Sequence, residues 1–235
     1  MSACGGGGGD RPSLGADSRP SNTTPTTLPG YVSFIAQPLS DTVQVHDAPD
    51  TASPAQDFPN PWLLYDNPKN AIPQVFLVDE QQGDWVRVLL PVRPNGTTGW
   101  VRSSDVRLTQ NRFRVVVELA AHQITVYDGN EVMIHEPVAI GTGETPTPTG
   151  KYYLRVLLKA PDPTTVYGPY AFGLSGHSDV LTEFNGGDGE LGIHGNNDAS
   201  VLGKSVTHGC VRISNESITR LAGILPLGTP VEIVP

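Results

Sequence analysis

Short runs of alternating apolar and polar residues, broken by Pro and Gly clusters, fill the sequence from about residue 31 to residue 109. In "DWVRVLL" the alternation places Val86, Val88 and Leu90 on one face of a strand. "PNGTTGW" is typical of a hairpin connection, because Asn-Gly readily forms the tight turn between two strands. About five short strands in this region predict a small β-barrel over 31–109.

Residues 111–235 show a second pattern, in which strands are interrupted by one helical segment. "FRVVVELAAHQITVYDGNEVMIHEPVAI" predicts three strands, with Asp128-Gly129-Asn130 as the turn between the second and the third. "NESITRLAGI" has apolar residues at helical spacing and predicts a short helix, and "GTPVEIV" predicts a closing strand. The stretch 159–192 has little periodicity and predicts an irregular, lid-like loop. The predicted fold class is mainly β, a small barrel followed by a β-rich domain with one short helix.

The first 30 residues consist mostly of Gly, Ser, Thr, Pro and Asp, and they predict a disordered tether over 1–30. Cys4 follows Met-Ser-Ala and precedes five glycines, which resembles the end of a bacterial lipoprotein signal. That resemblance implies lipidation of Cys4. The alternative is a chance cysteine in a disordered tail.

Charge and hydropathy narrow the classes of partner. The net charge of −9 argues against nucleic acid and anionic lipid, because both require a basic surface. No apolar run in the sequence approaches the roughly 18 residues of a membrane-spanning helix. Contact with a membrane is therefore expected only through a lipid on Cys4.

Cys210, in "GKSVTHGCVRISN", has three possible identities. Cys4 and Cys210 lie 206 positions apart, so an intramolecular disulfide is not expected and the thiol of Cys210 should be free. A buried apolar role suits the charged neighbourhood of this residue poorly. A zinc site could draw ligands from His194, His208 and Cys210, but a fourth ligand is not evident. The third identity is a nucleophile.

The nucleophile interpretation accounts for more of the motif. If the segment is extended, residues two apart face the same way, so His208, Cys210 and Arg212 would project together. Positive charge near a thiol lowers its pKa and favours the thiolate. Gly209 lets a substrate approach the backbone, and the N–H groups of Gly209 and Cys210 are candidates for an oxyanion hole. His194 in "LGIHGNND" is the candidate base, with a turn-capping or core histidine as its alternative.

These residues resemble a known family. "IHGNNDASVLGKSVTHGCVRISN" is similar to the signature of the L,D-transpeptidase catalytic domain of the YkuD type, and His194 and Cys210 lie 16 positions apart as that signature requires. "TPTPTGKYY" and "YGPYAFGLSGH" also resemble the family, and the likeness covers about residues 111–234. Residues 31–109 resemble a bacterial SH3-like domain, which would act either as a spacer or as a binder of cell-wall glycan or peptide.

The resemblance implies roles for individual residues. Cys210 would be the nucleophile and His194 the base, with the carbonyl of Gly195 orienting the imidazole. His208 would line the pocket and tune the thiol, and Arg212 would hold a carboxylate of the substrate. Further contacts with the substrate are implied for residues of the signature and of the lid-like stretch: Tyr167, Tyr170, His177, Gly209 and Asn215.

The function implied is that of a peptidoglycan L,D-transpeptidase, which forms 3→3 cross-links between stem peptides through a thioester on Cys210. Its partners would be donor and acceptor stem peptides, and carbapenems would acylate the same thiol. Neither a metal nor an organic cofactor is expected. The implied location is the cell envelope, after export. The alternatives are an L,D-carboxypeptidase that uses water as acceptor, and a non-catalytic wall-binding module.

Overall fold

The computed structural model describes residues 30–64, 67–183 and 187–235. The predictions of a disordered tether and of a lipidated Cys4 concern residues that lie outside this part. Within it, no helix is long and apolar enough to cross a membrane.

Nine strands precede residue 112, more than the five that the pattern predicted. They are β1 Ser33–Pro38, β2 Thr42–His46, β3 Ala55–Pro59, β4 Trp62–Leu63, β5 Ala71–Ile72, β6 Phe76–Gln82, β7 Trp85–Leu89, β8 Thr98–Arg102 and β9 Val106–Asn111. The prediction undercounted because β4 and β5 have two residues each and β3 is mostly exposed and polar, so these strands lack an alternating pattern.

Seven of these strands form one sheet in the order β3-β2-β8-β7-β6-β1-β9, and β4 pairs with β5 separately. The predicted face of β7 is confirmed, since Val86, Val88 and Leu90 are buried in the core of this sheet. On the opposite face, Leu89 is also buried, but it belongs to a second cluster shared with the following domain. The SH3-like identity of this region stays a prediction.

Ten strands and one α-helix follow. They are β10 Phe113–Glu118, β11 Gln123–Asp128, β12 Glu131–Pro137, β13 Ile140–Gly141, β14 Gly150–Lys159, β15 Tyr170–His177, β16 Glu190–His194, β17 Ser205–Thr207, β18 Val211–Arg212, α1 Asn215–Ala222 and β19 Pro230–Val234. The predicted helix and the predicted closing strand are both confirmed. A mainly β protein with one α-helix is thus what the described residues form.

Eight of these strands form a second sheet in the order β12-β11-β10-β19-β14-β15-β16-β18. The closing strand β19 lies near the middle, parallel to β10 and antiparallel to β14. On one face, which we call the helix face, Ile218 and Leu221 of α1 join the large core with alternate residues of the strands. Ser214 caps α1, because its side chain accepts a hydrogen bond from the Ser217 N–H.

The opposite face, which we call the outer face, is covered only in part by the first domain. Tyr153 on β14 packs against Ile35, Leu77 and Leu89 of the first domain, and it has no exposed surface. Val156, on the same strand, packs in a second buried cluster together with Trp62 of the first domain. The first domain therefore lies over β14 and fixes one side of the outer face.

A turn of the first domain also holds the segment between β15 and β16. The guanidinium of Arg93 donates to the carbonyl oxygens of Ser178, Leu181 and Asp188, at 2.7, 3.1 and 2.6 Å. The side-chain amide of Asn95 bonds to both the N–H and the C=O of His177. The side chain of Asn95 thus pairs with the end of β15 as a neighbouring strand would.

The prediction of a lid-like loop over 159–192 is wrong for the middle of that stretch. Tyr170–His177 is β15, an eight-residue strand inside the second sheet, and Phe172 and Leu174 are buried in the core. Tyr170 and His177 therefore belong to a strand and not to a loop. Gly173 and Gly176 interrupt the side-chain pattern, which explains why the strand was not evident from periodicity.

Candidate active site

Strands β16 and β18 bring the two candidate catalytic residues to one face. They pair in parallel, with Ile193 opposite Val211 and His194 opposite Arg212. A Cβ placed on Gly192 would lie 3.8 Å from Sγ of Cys210, so the thiol lies over the outer face at Gly192. His194 is two residues further along β16, and residues two apart share a face at a spacing of about 7 Å. Cys210 and His194 therefore flank one patch of the outer face.

The segment that carries Cys210 is not a single extended strand, so that premise of the sequence prediction is wrong. β17 pairs with β13 in a small separate sheet, whereas β18 pairs with β16. The chain changes sheet at Gly209, which has a φ of 118°, a conformation that L side chains rarely adopt. His208 lies exposed in this connection, before the turn.

Two hydroxyl groups hold this turn. Oγ1 of Thr207 donates to the carbonyl of Cys210 at 2.6 Å and accepts the N–H of Gly209 at 3.1 Å. The N–H of Gly209, which the sequence suggested as an oxyanion donor, is therefore already engaged. Oγ1 of Thr147 donates to the carbonyl of Gly209 at 2.8 Å. Sequence reasoning missed both threonines as site residues, although each lies in a stretch that resembles the family.

His194 is held as a neutral imidazole. Its Nδ1 lies 2.7 Å from the carbonyl oxygen of Gly195, so Nδ1 carries the hydrogen and Nε2 keeps its lone pair. Burial lowers the pKa of His194 to about 4; the positive charge of Arg212 lowers the pKa further, and the carbonyls of Gly195 and Val166 oppose the shift. Only 3% of His194 is exposed. At neutral pH the imidazole is therefore unprotonated.

The thiol of Cys210 is neutral as well. The sequence predicted a lowered pKa from neighbouring positive charge, but burial raises the pKa of the half-buried Cys210 thiol. The backbone of Gly192 and the charge of Arg212 oppose this shift without reversing it. Within the described residues, no hydrogen bond joins Sγ to the imidazole of His194. The resting pair is thus a thiol and a neutral imidazole that share a face, not a preformed ion pair.

Arg212 stands beside both groups. It is half-buried on β18, opposite His194, and its charge acts on the pKa of His194 and of Cys210. Its Nε is buried and has no hydrogen-bond partner among the described residues. The positive charge of this guanidinium, next to the thiol, makes Arg212 a candidate to bind an anionic group of a substrate.

The loop before β15 covers the imidazole. The ring of Tyr167 packs against that of His194 at a tilted angle, with ring centroids 5.0 Å apart, and 37% of the tyrosine is exposed. Tyr167 thus contacts the candidate base through its ring, whereas Tyr170 contacts the next residue through its backbone, its carbonyl accepting the N–H of Gly195 at 3.2 Å. The strand that follows carries Tyr170 and His177, and their position there differs from the loop that was predicted.

Asn215 has a positioning contact that the sequence did not suggest. Its Oδ1 accepts the N–H of Asn196 at 2.9 Å and lies against the backbone of Gly168 and Gly195, where a Cβ on either glycine would collide with it. The side chain of Asn196 in turn donates to the carbonyl of Ile213 at 2.7 Å. These amides hold together the loop after His194, the loop of Tyr167 and the start of α1. Asn196 was missed because only its neighbours stood out in the motif.

His177 belongs to a separate polar group. Its Nε2 lies 3.0 Å from Oδ2 of Asp188, and these atoms lie within 4.8 Å of a carboxylate oxygen of Glu190. These residues could hold a metal ion, but Glu190 already forms an ion pair with Arg155, which balances part of the negative charge. Along β16, Glu190 is four residues from His194, a separation of about 13 Å.

The zinc interpretation of Cys210 finds no support in the part of the chain that the structure describes. There, the metal-capable group contains none of His194, His208 and Cys210. The unpaired Nε of Arg212 next to the thiol also disfavours a cation at that point.

Comparison with known proteins agrees with this geometry. Residues 112–233 match the family model described as the YkuD L,D-transpeptidase catalytic domain. The YkuD protein of Bacillus licheniformis is 32% identical over 123 residues, covering 52% of this chain and 66% of that protein. The YkuD protein of Bacillus subtilis is 33% identical over 121 residues, covering 52% and 65%. The chain thus spans just under two thirds of the length of these two relatives.

Among solved structures, L,D-transpeptidase 3 from Mycobacterium tuberculosis, in complex with a faropenem-derived adduct, aligns with a TM-score of 0.44 at 16% identity. The alignment covers 68% of this chain and 91% of that chain. The family model accounts for more than half of the present sequence and contains both Cys210 and His194. The chain belongs to the family of proteins with a YkuD L,D-transpeptidase catalytic domain.

Proposed function

We propose that this protein is a cysteine-dependent peptidoglycan L,D-transpeptidase that joins stem peptides by 3→3 cross-links. The observation that carries the proposal is the placement of the Cys210 thiol and the neutral imidazole of His194 on one face, beside the positive charge of Arg212. A neutral imidazole can take the proton of a neutral thiol during attack on a carbonyl.

Acylation begins when a donor tetrapeptide stem binds over Gly192, with the carbonyl of its diamino acid against Sγ of Cys210. As sulfur forms its bond to the carbonyl carbon, Nε2 of His194 takes the thiol proton. The N–H of Cys210 is the candidate donor to the oxyanion, because the N–H of Gly209 is engaged by Thr207. The carbon–nitrogen bond to the terminal D-Ala then breaks, His194 returns the proton to the leaving amine, and a thioester remains.

The second half of the reaction reverses the proton path. The side-chain amine of an acceptor stem attacks the thioester carbonyl and gives its proton to His194. The carbon–sulfur bond breaks, the thiol regains a proton, and an amide bond joins the two stems. Arg212 binds a carboxylate of the stem peptides, and Tyr167 lines the approach to His194. Carbapenems acylate the same thiol through their strained amide carbonyl.

The remaining expectations belong to the same proposal. The protein acts in the cell envelope, tethered by residues 1–30 and by a lipid on Cys4. The first domain, with its SH3-like character, holds the catalytic domain near the wall or binds wall material. Its contacts with Tyr153 and Val156 on the outer face favour a role of the first domain in holding the catalytic sheet in place.

The test is incubation with a disaccharide-tetrapeptide, followed by mass spectrometry of the products and of the protein. We expect a cross-linked dimer and a thioester adduct on Cys210. Tripeptide without dimer would indicate water as acceptor, and thus an L,D-carboxypeptidase. Neither product nor adduct would favour the non-catalytic alternative.

Cys210→Ala is expected to abolish both the dimer and the carbapenem adduct, since no other group replaces the thiol. Cys4→Ala is the matched control, because it removes the other cysteine and should leave both signals intact. An adduct that persists in Cys210→Ala and disappears in Cys4→Ala would move the nucleophile to the tail.

A further inference from the structure

Thr147 is a buried hydroxyl that holds the peptide bond just before Cys210. It lies in the "TPTPTG" stretch, ahead of β14, and only 5% of it is exposed. Its Oγ1 accepts the N–H of Gly141 at 2.9 Å and donates to the carbonyl of Gly209 at 2.8 Å. Because the Gly141 N–H supplies one hydrogen, the hydroxyl hydrogen is left to point at Gly209.

The bond to Gly209 sets the direction of another group. In a trans peptide the C=O of one residue and the N–H of the next lie in one plane and point in opposite directions. Thr147 fixes the carbonyl of Gly209, so it also fixes the N–H of Cys210, which points away from Thr147. That N–H is the donor left for an oxyanion once Thr207 has taken the N–H of Gly209.

The peptide bond needs this support. Gly209 has a φ of 118°, and glycine without a side chain turns readily about φ and ψ. The same loop also binds the chain two residues before Gly209, since Oγ1 of Thr145 donates to the carbonyl of Thr207 at 3.1 Å. Two hydroxyls of one loop therefore hold the peptide group before His208 and the peptide group after Gly209, and Thr147 holds the one next to Cys210.

We propose that Thr147 is a positioning residue for the reaction, which orients the N–H of Cys210 as the oxyanion donor through the carbonyl of Gly209. The inference rests on the proposed function, because an oxyanion forms only when Cys210 attacks a carbonyl. Thr147 itself touches neither the substrate nor the thiol. Its effect should therefore appear in acylation and be absent from reactions of the thiol that form no oxyanion.

The experiment compares two reactions of the same thiol in the full chain with Cys4→Ala. A carbapenem acylates Cys210 through an oxyanion, whereas iodoacetamide alkylates it at a saturated carbon, with loss of iodide and without an oxyanion. Thr147→Val, which is nearly isosteric and lacks the hydroxyl, should slow acylation about 10²-fold, as expected for a misplaced catalytic group, and leave alkylation within about twofold. Thr147→Ser, which restores the hydroxyl, should recover most of the acylation rate.

Thr149→Val is the matched control, because Thr149 is exposed two residues further along the same stretch. It should change neither rate. If Thr147→Val does not fold, as judged by its thermal unfolding midpoint, Thr147→Ala gives the same ratio of rates without a risk of steric clash.

Equal losses of acylation and alkylation in the Thr147 variants would reduce Thr147 to a structural residue and overturn the inference. Unchanged acylation in a folded Thr147→Val would overturn it too. Both outcomes leave the proposed function intact if the unsubstituted chain is acylated at Cys210. Failure of the unsubstituted chain to be acylated refutes the proposed function instead, before any variant is compared.

Discussion

The outer face of the second sheet has two halves that differ in chemistry. Over β14, the side chains of Tyr153 and Val156 are bulky, apolar and covered by the first domain. Over β15 and β16, the outward positions include Gly173 and Gly192, whose nearest atoms do not belong to the first domain, and His194, which Tyr167 covers instead. The half over β14, which we call the covered half, resembles a domain core. The half over β15 and β16, which we call the open half, resembles the floor of a groove.

The difference shows how one sheet supports both stability and a reactive surface. A bare glycine floor exposes backbone and little apolar area, so the open half gains little free energy from burial. The covered half gains that free energy, since burying a large side chain contributes about 1.5–3 kcal/mol. We therefore expect substitutions in the open half to change the rate of acylation and those in the covered half to change stability.

The largest effect is expected in the open half. His194→Gln should slow carbapenem acylation by about 10²–10⁴, because it removes a general base. The unfolding midpoint at neutral pH should change little by comparison. Stopped-flow or mass-based acylation rates and thermal unfolding measure the two quantities.

The matched control is His135→Gln, the same change at an exposed histidine on β12, which should affect neither quantity. If His194→Gln lowered the unfolding midpoint strongly and left the acylation rate intact, the distinction between the halves would fail at its most important residue.

Tyr153→Ala should show the reverse behaviour. Removing a fully buried aromatic ring from the contact with Ile35, Leu77 and Leu89 is expected to lower the free energy of unfolding by about 3–5 kcal/mol. Acylation per folded molecule should stay within about threefold. Urea unfolding, with acylation measured well below the transition, tests both parts.

Tyr153→Phe sharpens this result, because it keeps the ring and removes only the hydroxyl. That hydroxyl is buried without a hydrogen-bond partner among the described residues. Its removal should leave stability equal or higher, since an unsatisfied buried group carries a desolvation cost. A large loss of stability in Tyr153→Phe would show that the hydroxyl, and not the ring, holds the domains together.

The last expected effect is a dependence of stability on pH that originates in the open half. The pKa of His194 is about 4 in the folded chain against 6.5 for the unperturbed group, so between these values only the unfolded state takes up the proton. The contribution to stability is present above pH 6.5 and is lost as the pH falls towards 4. A difference of about 2.5 pKa units corresponds to about 3 kcal/mol.

Chemical unfolding of the unsubstituted chain and of His194→Gln between pH 7 and pH 4 isolates this contribution. As the solution becomes acidic, the unsubstituted chain should lose more of its unfolding free energy than His194→Gln does. A constant difference across this range would mean that the imidazole is not held neutral by burial.

Parts of the fold and of the candidate site could be predicted from the sequence, because their signal lies in a short stretch of residues. The resemblance to the L,D-transpeptidase signature implied a shared site for His194 and Cys210. The helix around Ile218 was evident, since its apolar residues follow the helical period. By contrast, the sequence predicts a loop where β15 lies, because Gly173 and Gly176 interrupt the alternation of side chains along this strand.

The electrostatic state of the site was beyond the sequence. Neighbouring positive charge predicted a lowered pKa for Cys210, but burial outweighs it, and burial depends on what packs around the thiol. The role of Thr147 was hidden for a similar reason. It lies 63 positions before Cys210, and only the fold brings its hydroxyl to the carbonyl of Gly209.

The central position of β19 has a consequence for the order of folding. The strands β10–β12 and β14–β16 can each pair with near neighbours in sequence, but β19 joins the two groups through contacts such as Val115 with Val231, which lie 116 residues apart. Closing so long a loop is slow, since its entropic cost precedes the gain from contacts. We therefore expect the second sheet to complete late, with the insertion of β19 as the step that joins two local hairpin assemblies.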